Sequence, residues 1–352
     1  LALVLAIIMT AACFAACTGN TDTPPVSEPP ASEAPQAPES PEVPETPAVM
    51  YGPDGREVAA EQVYRTLYSS EVSTMNYLVS GTTYELVVGA NTIDSLVEND
   101  PFGKIVPCAA TSWESEDETY LNADGEEVLG QKWIFHLPEG QYWYDADGNQ
   151  KDPVTAHDYV AAARYVCDSE MDCSNSYLMD GWLINATERL EYTAAALAAV
   201  EQGTESGEDQ DFVRDANGVI YEGSEFDEAT GKYTVWTEVP EVKAEEVGVE
   251  ALDDYTLVYH LVSPRPYFPT ALQFGTYWPA PASLLGELGI NYGLDNYSMW
   301  FNGAYILSTY QPNEKRIYTR NENNWDAEHI YIERIEQTCN TDAGTLAPEM
   351  FV

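Results

Sequence analysis

The chain has 352 residues, enough for two or more compact units, and carries 15 Lys and Arg against 59 Asp and Glu, a formal net charge of −44. So acidic a surface repels nucleic acid and anionic lipid headgroups, which excludes both as partners. Its 24 Tyr, 8 Trp and 44% hydrophobic residues supply the apolar surface that disordered acidic chains lack, so a folded body is expected.

Leu1 to Ala16 is the only long apolar run, broken by Thr10 and Cys13. It falls short of the roughly 20 apolar residues of a membrane helix and suits the apolar region and small-residue end of a secretory signal. No initiator Met or basic stretch precedes it, and the chain stops abruptly at Val352, so truncation at both ends is expected. Phe14-Ala15-Ala16-Cys17 has the pattern of a bacterial lipobox, which closes a signal segment at 1–17 and makes Cys17 the expected lipid attachment point once the residues before it are cut away. Thr10-Ala11-Ala12-Cys13 competes, but Phe14 supplies the bulky residue usual three positions before the cut. A plain secretory signal with an incidental cysteine is the other alternative. Residues 18–50, rich in Pro, Glu, Ala and Ser between Pro24 and Pro47, predict a disordered, semi-rigid tether.

Order is expected from about Tyr51. Val63-Tyr64-Arg65-Thr66-Leu67-Tyr68 alternates like a half-buried strand. Thr82-Thr83-Tyr84-Glu85 offers a capping box, and Leu86, Ile93, Leu96 and Val97 extend one apolar helical face that Asn99-Asp100-Pro101 should stop. Turns at residues 122–125 and 145–148 separate strands around Lys132 to Leu137 and Gln141 to Tyr144. Thr155-Ala156-His157-Asp158 is a second capping box, opening an Ala-rich helix to about Cys167, and another Ala-rich helix covers roughly residues 188–202. An acidic loop follows, with a turn at 215–218, then a strand at 255–259. Strands and helices mix without strict alternation, so the class is α/β with mixed α+β elements.

Signs of catalysis are missing. His136, His157, His260 and His329 show no pairing at ligand spacing, and no nucleophile elbow, P-loop or G-x-G-x-x-G is present. Residues 145–156 resemble a calcium loop only at first sight: position six is Gln150 and position twelve Ala156, so a hairpin turn explains them better. No metal and no cofactor is expected, and the chain is not expected to be an enzyme. Cys167 can pair with Cys173 in an exported chain, yet Cys108, Cys167, Cys173 and Cys339 show no metal spacing, and free buried thiols are the expectation.

Several blocks occur in a telling order. They run from Lys104-Ile105-Val106-Pro107 and Ala110-Thr111-Ser112-Trp113 through Trp133-Ile134-Phe135-His136-Leu137-Pro138-Glu139-Gly140 to Pro153-Val154-Thr155-Ala156-His157-Asp158-Tyr159. Val249-Glu250-Ala251-Leu252-Asp253-Asp254-Tyr255-Thr256-Leu257, Pro264-Arg265-Pro266-Tyr267-Phe268, Asn302-Gly303-Ala304-Tyr305 and the run from Arg320 to Asp326 complete the series. Together they resemble the oligopeptide- and dipeptide-binding lipoproteins of ABC importers, extracellular solute-binding family 5.

The resemblance implies a periplasmic-binding-protein-like type II fold of two lobes with an extra β-rich subdomain, closing on ligand about a hinge. Residues 51–91 and 248–352 would form the first lobe, truncated, and residues 92–247 the inserted subdomain; the second lobe would be missing. The insertion at about 201–246 is longer and more acidic than usual for the family. Implied partners are a small peptide ligand, ABC permease subunits and the membrane holding the lipid anchor, with no nucleic acid; a monomer on the extracytoplasmic face of the bacterial cell membrane is expected. Ser80, Gly81, Thr82 and Thr83 match a stretch bordering the family's ligand cleft, where backbone hydrogen bonding tolerates many peptide sequences; helix capping by the threonines is compatible with that role. Tyr177 lies where family members place a cleft aromatic, or is a core tyrosine. Trp278 faces ligand or packs the core. Family members also take nickel chelates, haem, sugars and opines. The competing functions are a peptide-sensing receptor or adhesin without transport, and an exported hydrolase on a stalk.

Overall fold

The computed structural model describes residues 61–201 and 211–345. The signal at 1–17 with Cys13 and Cys17, the tether at 18–50, the onset of order at Tyr51 and part of the acidic insertion lie outside the described residues.

Three four-stranded sheets organise the rest. In the first, Val63–Tyr68 forms an edge and pairs in parallel with Arg334–Cys339, which continues antiparallel into Lys315–Arg320 and Tyr305–Gln311. Arg316 is buried in this sheet, its guanidinium 4.1 Å from the centre of the Tyr68 ring and ion-paired with Glu71. Burial alone would raise the Glu71 pKa, but N–H groups of Asn313 and Val72 and the Arg316 guanidinium outweigh it and hold the carboxyl below its usual range. The pair therefore staples the end of the first strand to the turn at Asn313.

The second sheet runs Val249–Asp253, Thr256–Leu261, Glu127–His136, Ser112–Leu121, antiparallel throughout. Period-two alternation sends Phe135, Leu257 and Tyr259 into the core, while the other face carries cross-strand pairs of Glu114 with His136, Glu116 with Lys132 and Glu118 with His260. The strand 112–121 can thus be densely acidic and still sit in a sheet. Its hairpin closes where expected, with the Asn122 carboxamide oxygen accepting the N–H groups of Asp124 and Glu126. The turn at 145–148 likewise joins Tyr142–Tyr144 to Gln150–Pro153, and Asp145 accepts from Asp147 and Asn149 while pairing with Lys151 at 2.7 Å.

Two expected elements differ. The first helix spans Thr83–Thr92, so Leu96 and Val97 lie beyond it and Val97 opens a short strand, Val97–Asn99, paired with Ile105–Pro107. Local periodicity is overruled by distant side chains: Asn302 accepts the Asp94 N–H at 3.0 Å and draws the chain off the helix axis. Glu85 does not close a capping box either; it turns inward and accepts the N–H and hydroxyl of Ser73 at 2.9 and 3.0 Å. Within the insertion, Phe212–Arg214, Ile220–Asp227 and Lys232–Glu238 join Val200–Glu201 in a third sheet where a loop was expected. Phe226, Tyr233 and Trp236 pack ring to ring at 5.1 and 5.8 Å, and Gly223 leaves the gap that the Tyr233 ring fills.

The second helix, Ala156–Val166, starts at the predicted capping box, and Ala186–Ala198 is the other Ala-rich helix. Asp158, only 4% exposed, accepts the Thr155 N–H at 2.8 Å, the Trp143 indole N–H at 3.1 Å and the Ala282 N–H at 2.8 Å. One carboxylate thus fastens a helix start, a hairpin and the start of the helix Ala282–Leu288. Burial raises its pKa against the opposing pull of these donors.

Asp158→Ala strands three donors at once and is expected to lower the unfolding free energy of the complete protein by about 3 kcal/mol. Urea unfolding with an unchanged m-value checks this; a loss below about 1 kcal/mol would mean that the three segments hold together without it.

Candidate functional site

Ser80, Gly81, Thr82 and Thr83 run into the N-terminus of the first helix, and residues 81–83 are exposed. The segment leans on a second one, Cys173 to Tyr177. Val79 O accepts both the N–H and the hydroxyl of Ser174, at 2.9 and 2.8 Å. Gly81 lies so close to Asn175 that a Cβ there would stand 2.3 Å from its Nδ2. Thr82 makes no side-chain cap, and its N–H reaches the Ser80 hydroxyl at only 3.4 Å. Backbone donors at the helix start and the hydroxyls of Thr82 and Thr83 are therefore presented on an open surface.

Tyr177 is 61% exposed beside this segment, so its ring belongs to the surface and not to the core. Its turn is fixed from below by Tyr277, whose hydroxyl donates to Leu178 O at 2.7 Å. Beyond it Arg265 stacks on Trp182 at 4.0 Å, with Tyr267 edge-on to the same indole at 6.0 Å. Tyr84, Tyr267 and Phe274 are also exposed. Trp278 is different: it is 6% exposed, its indole N–H donates to Gln273 O at 3.1 Å and its ring lies against Gly89 and Tyr77. It packs the first helix onto the segment before Pro279. Asn175, which stands against Gly81, is marked in the sequence only by its place two residues before Tyr177.

A second polar centre lies where the first helix ends. The Asp94 carboxylate accepts Asn324 Nδ2 at 2.9 Å and the Trp325 indole N–H at 2.8 Å, and Asn324 Nδ2 also lies 3.3 Å from Asn302 O. Gly303 donates to Thr92 O at 2.9 Å and has no room for a Cβ against that backbone, so this glycine serves a close approach of two backbone segments. Burial pushes the Asp94 pKa up to about 6 despite these donors, with the charges of Glu98 and Asp326 adding to the effect.

Among the described residues no group of three or more His, Cys, Asp or Glu is arranged to hold a metal ion. Cys108, Cys167, Cys173 and Cys339 are free, and burial pushes the thiols of Cys167 and Cys173 up to about 12. No helix of the described residues is long and apolar enough to cross a membrane.

The family model described as bacterial extracellular solute-binding proteins, family 5 Middle, matches residues 104–349, more than half of the chain. The oligopeptide-binding protein AliB of Streptococcus pneumoniae is 25% identical over 291 residues, which cover 82% of this chain and 35% of AliB. Listeria monocytogenes OppA bound to peptide superimposes with a TM-score of 0.58 at 23% identity, over 82% of this chain and 44% of that one. The substrate-binding domain of an oligopeptide ABC transporter from Bacillus anthracis gives a TM-score of 0.58 at 22% identity, over 81% and 42%. The chain thus spans about a third of AliB and under half of either solved chain.

Asp94 holds its proton more tightly folded than unfolded. Its contribution to stability is therefore fully present below the unfolded value of 3.8 and is lost as pH rises through about 6. Relative to Asp94→Asn, the wild-type protein is expected to lose about 1 kcal/mol between pH 4 and pH 6, after discounting for the partial exposure of the residue. Parallel urea titrations of the two proteins across that range would give superimposable slopes if the shift were absent.

Proposed function

The chain belongs to the bacterial extracellular solute-binding proteins of family 5, and from that premise we propose that it is the substrate-binding lipoprotein of an ABC importer, capturing extracellular peptides for a membrane permease. The observation that carries this reading is the exposed strip of backbone and hydroxyls from Ser80 to Thr83, braced by Asn175 and flanked by Tyr177. Such a strip suits a ligand held through its own backbone, as an added strand would be, with side chains left to roomy aromatic surroundings. Ser80, Gly81, Thr82, Thr83 and Tyr177 are the proposed ligand-facing residues, and Trp278 backs them from the core.

Residues 1–17 act as the export signal, Cys17 carries the lipid and residues 18–50 hold the body off the extracytoplasmic face of the membrane. Residues 92–247 are the inserted β-rich subdomain between first-lobe portions at 51–91 and 248–352, and the protein works as a monomer without catalytic activity. A peptide-sensing receptor or adhesin would use the same strip, and uptake by a deletion strain separates it from transport. An exported hydrolase predicts turnover by the complete protein.

Peptide mixtures at about one hundred times Kd are expected to stabilise the complete protein by about 2.7 kcal/mol, read as a rise in Tm. Gly81→Ala, which pushes the Asn175 side chain away, is expected to weaken binding about fivefold, the loss of one neutral hydrogen bond. Absence of any Tm rise with peptides rules out the peptide reading. Cys17→Ala is expected to release the protein from membranes into the soluble fraction; retention on the membrane would point to another anchor.

A further inference from the structure

The described chain spends its few arginines on defined partners. Arg65, Arg189, Arg316, Arg320 and Arg334 pair with carboxylates, Arg214 donates to Ala196 O, and Arg265 donates to Gly181 O and stacks on Trp182. Among the arginines of the described residues the Arg164 side chain alone has neither hydrogen bond nor ion pair, although the chain carries 59 acidic residues. Its Nε is buried without an acceptor. Asp168, four residues on and the natural helical partner, is taken: one oxygen accepts Arg189 Nη2 at 2.7 Å and the other the Glu170 N–H at 3.1 Å. The C-terminal end of the helix Ala156–Val166 offers Arg164 favourable potential but does not fill the fork of the guanidinium.

The same side chain lines an open groove of about 260 Å³. Its other walls are mainly apolar, with Ala161 on the turn before, Tyr165, Met171 and, across the groove, Ala282 and Leu285; Asp168, paired with Arg189, is its one acidic wall. Gly286 forms an edge with nothing within 4 Å of where a Cβ would stand. No residue of the groove belongs to the Ser80–Thr83 strip or its flanks.

From this arrangement we infer that the groove around Arg164 is a second binding site, which takes a monocarboxylate bearing a short apolar chain. One guanidinium fork matches one carboxylate bidentately. With Asp168 already neutralised by Arg189, the groove holds a single uncompensated cation, and the −44 field of the whole chain disfavours anions of higher charge. The apolar tail lies along Leu285 and the pliable Met171, which removes apolar surface from water on both partners. A free fatty carboxylate and the C-terminal carboxylate of an apolar peptide residue share this chemistry.

Isothermal titration of the complete protein with octanoate, N-acetyl-leucine and octanol tests the site. A carboxylate is expected to bind, octanol to bind at least about tenfold more weakly, and Arg164→Gln to lose about tenfold in affinity, as for one charge-assisted pair. The tighter of octanoate and N-acetyl-leucine identifies the source. Gly286→Leu places a side chain in the groove and replaces a helical glycine, so it should leave stability unchanged or higher while abolishing carboxylate binding. Peptide binding at the strip should survive both substitutions, which separates this site from the one proposed above. Equal affinity of Arg164→Gln or Gly286→Leu, equal affinity for octanol, or no binding of either carboxylate up to about 10 mM overturns the inference.

Discussion

Asp158 places two oxygens among three N–H groups from three parts of the chain, at Trp143, Thr155 and Ala282. Its backbone oxygen also accepts Ala280 N–H. A buried carboxylate is costly unless every lone pair finds a donor, so these segments are not free to drift independently. The segment fixed at Ala280 and Ala282 continues backwards through Trp278 and Tyr277. Tyr277 reaches Leu178 O and so sets the turn that carries Tyr177. Trp278 in turn fills the space left by Gly89 and sets the helix that follows the Ser80–Thr83 strip. The open surface is thus positioned by a chain of buried contacts that begins at one aspartate.

Net charge and local electrostatics operate on different scales here. Overall the molecule is strongly anionic, yet several cations in the sheets are matched to carboxylates at close range, as on the outer face of the central sheet and at Glu71 with Arg316. Exposed pairs of this kind are weak, about 0–1 kcal/mol each, and their role on a flat acidic strand is to relieve like-charge repulsion across neighbours. The buried pair is different, because removing either member would leave the other charged and enclosed.

Features encoded within a few residues were legible in the sequence. The capping box at Thr155 and Asp158, the turns at 122–125 and 145–148, and the alternating strand Val63–Tyr68 all stand where patterning puts them. Features decided at long range were not. The end of the first helix depends on Asn302, which contacts Asp94 across 208 residues of sequence, and no window around Thr92 contains that information. The same holds for Glu85, claimed by Ser73 before it can cap the helix. Of the candidate site, the strip and Tyr177 came from similarity to a family. Asn175 had no such marker, because what distinguishes it is the missing Cβ of Gly81.

The parallel pairing of Val63–Tyr68 with Arg334–Cys339 has a kinetic side. As an edge, the first strand has no other neighbour in its sheet among the described residues, and its partner is synthesised some 270 residues later. Hairpins such as 112–136 close locally and early, whereas this pairing must wait until nearly all the described chain has emerged and must meet the full entropy of closing that loop. The first strand is then among the last to dock, and its exposure sets the interval in which the protein is open to misassembly.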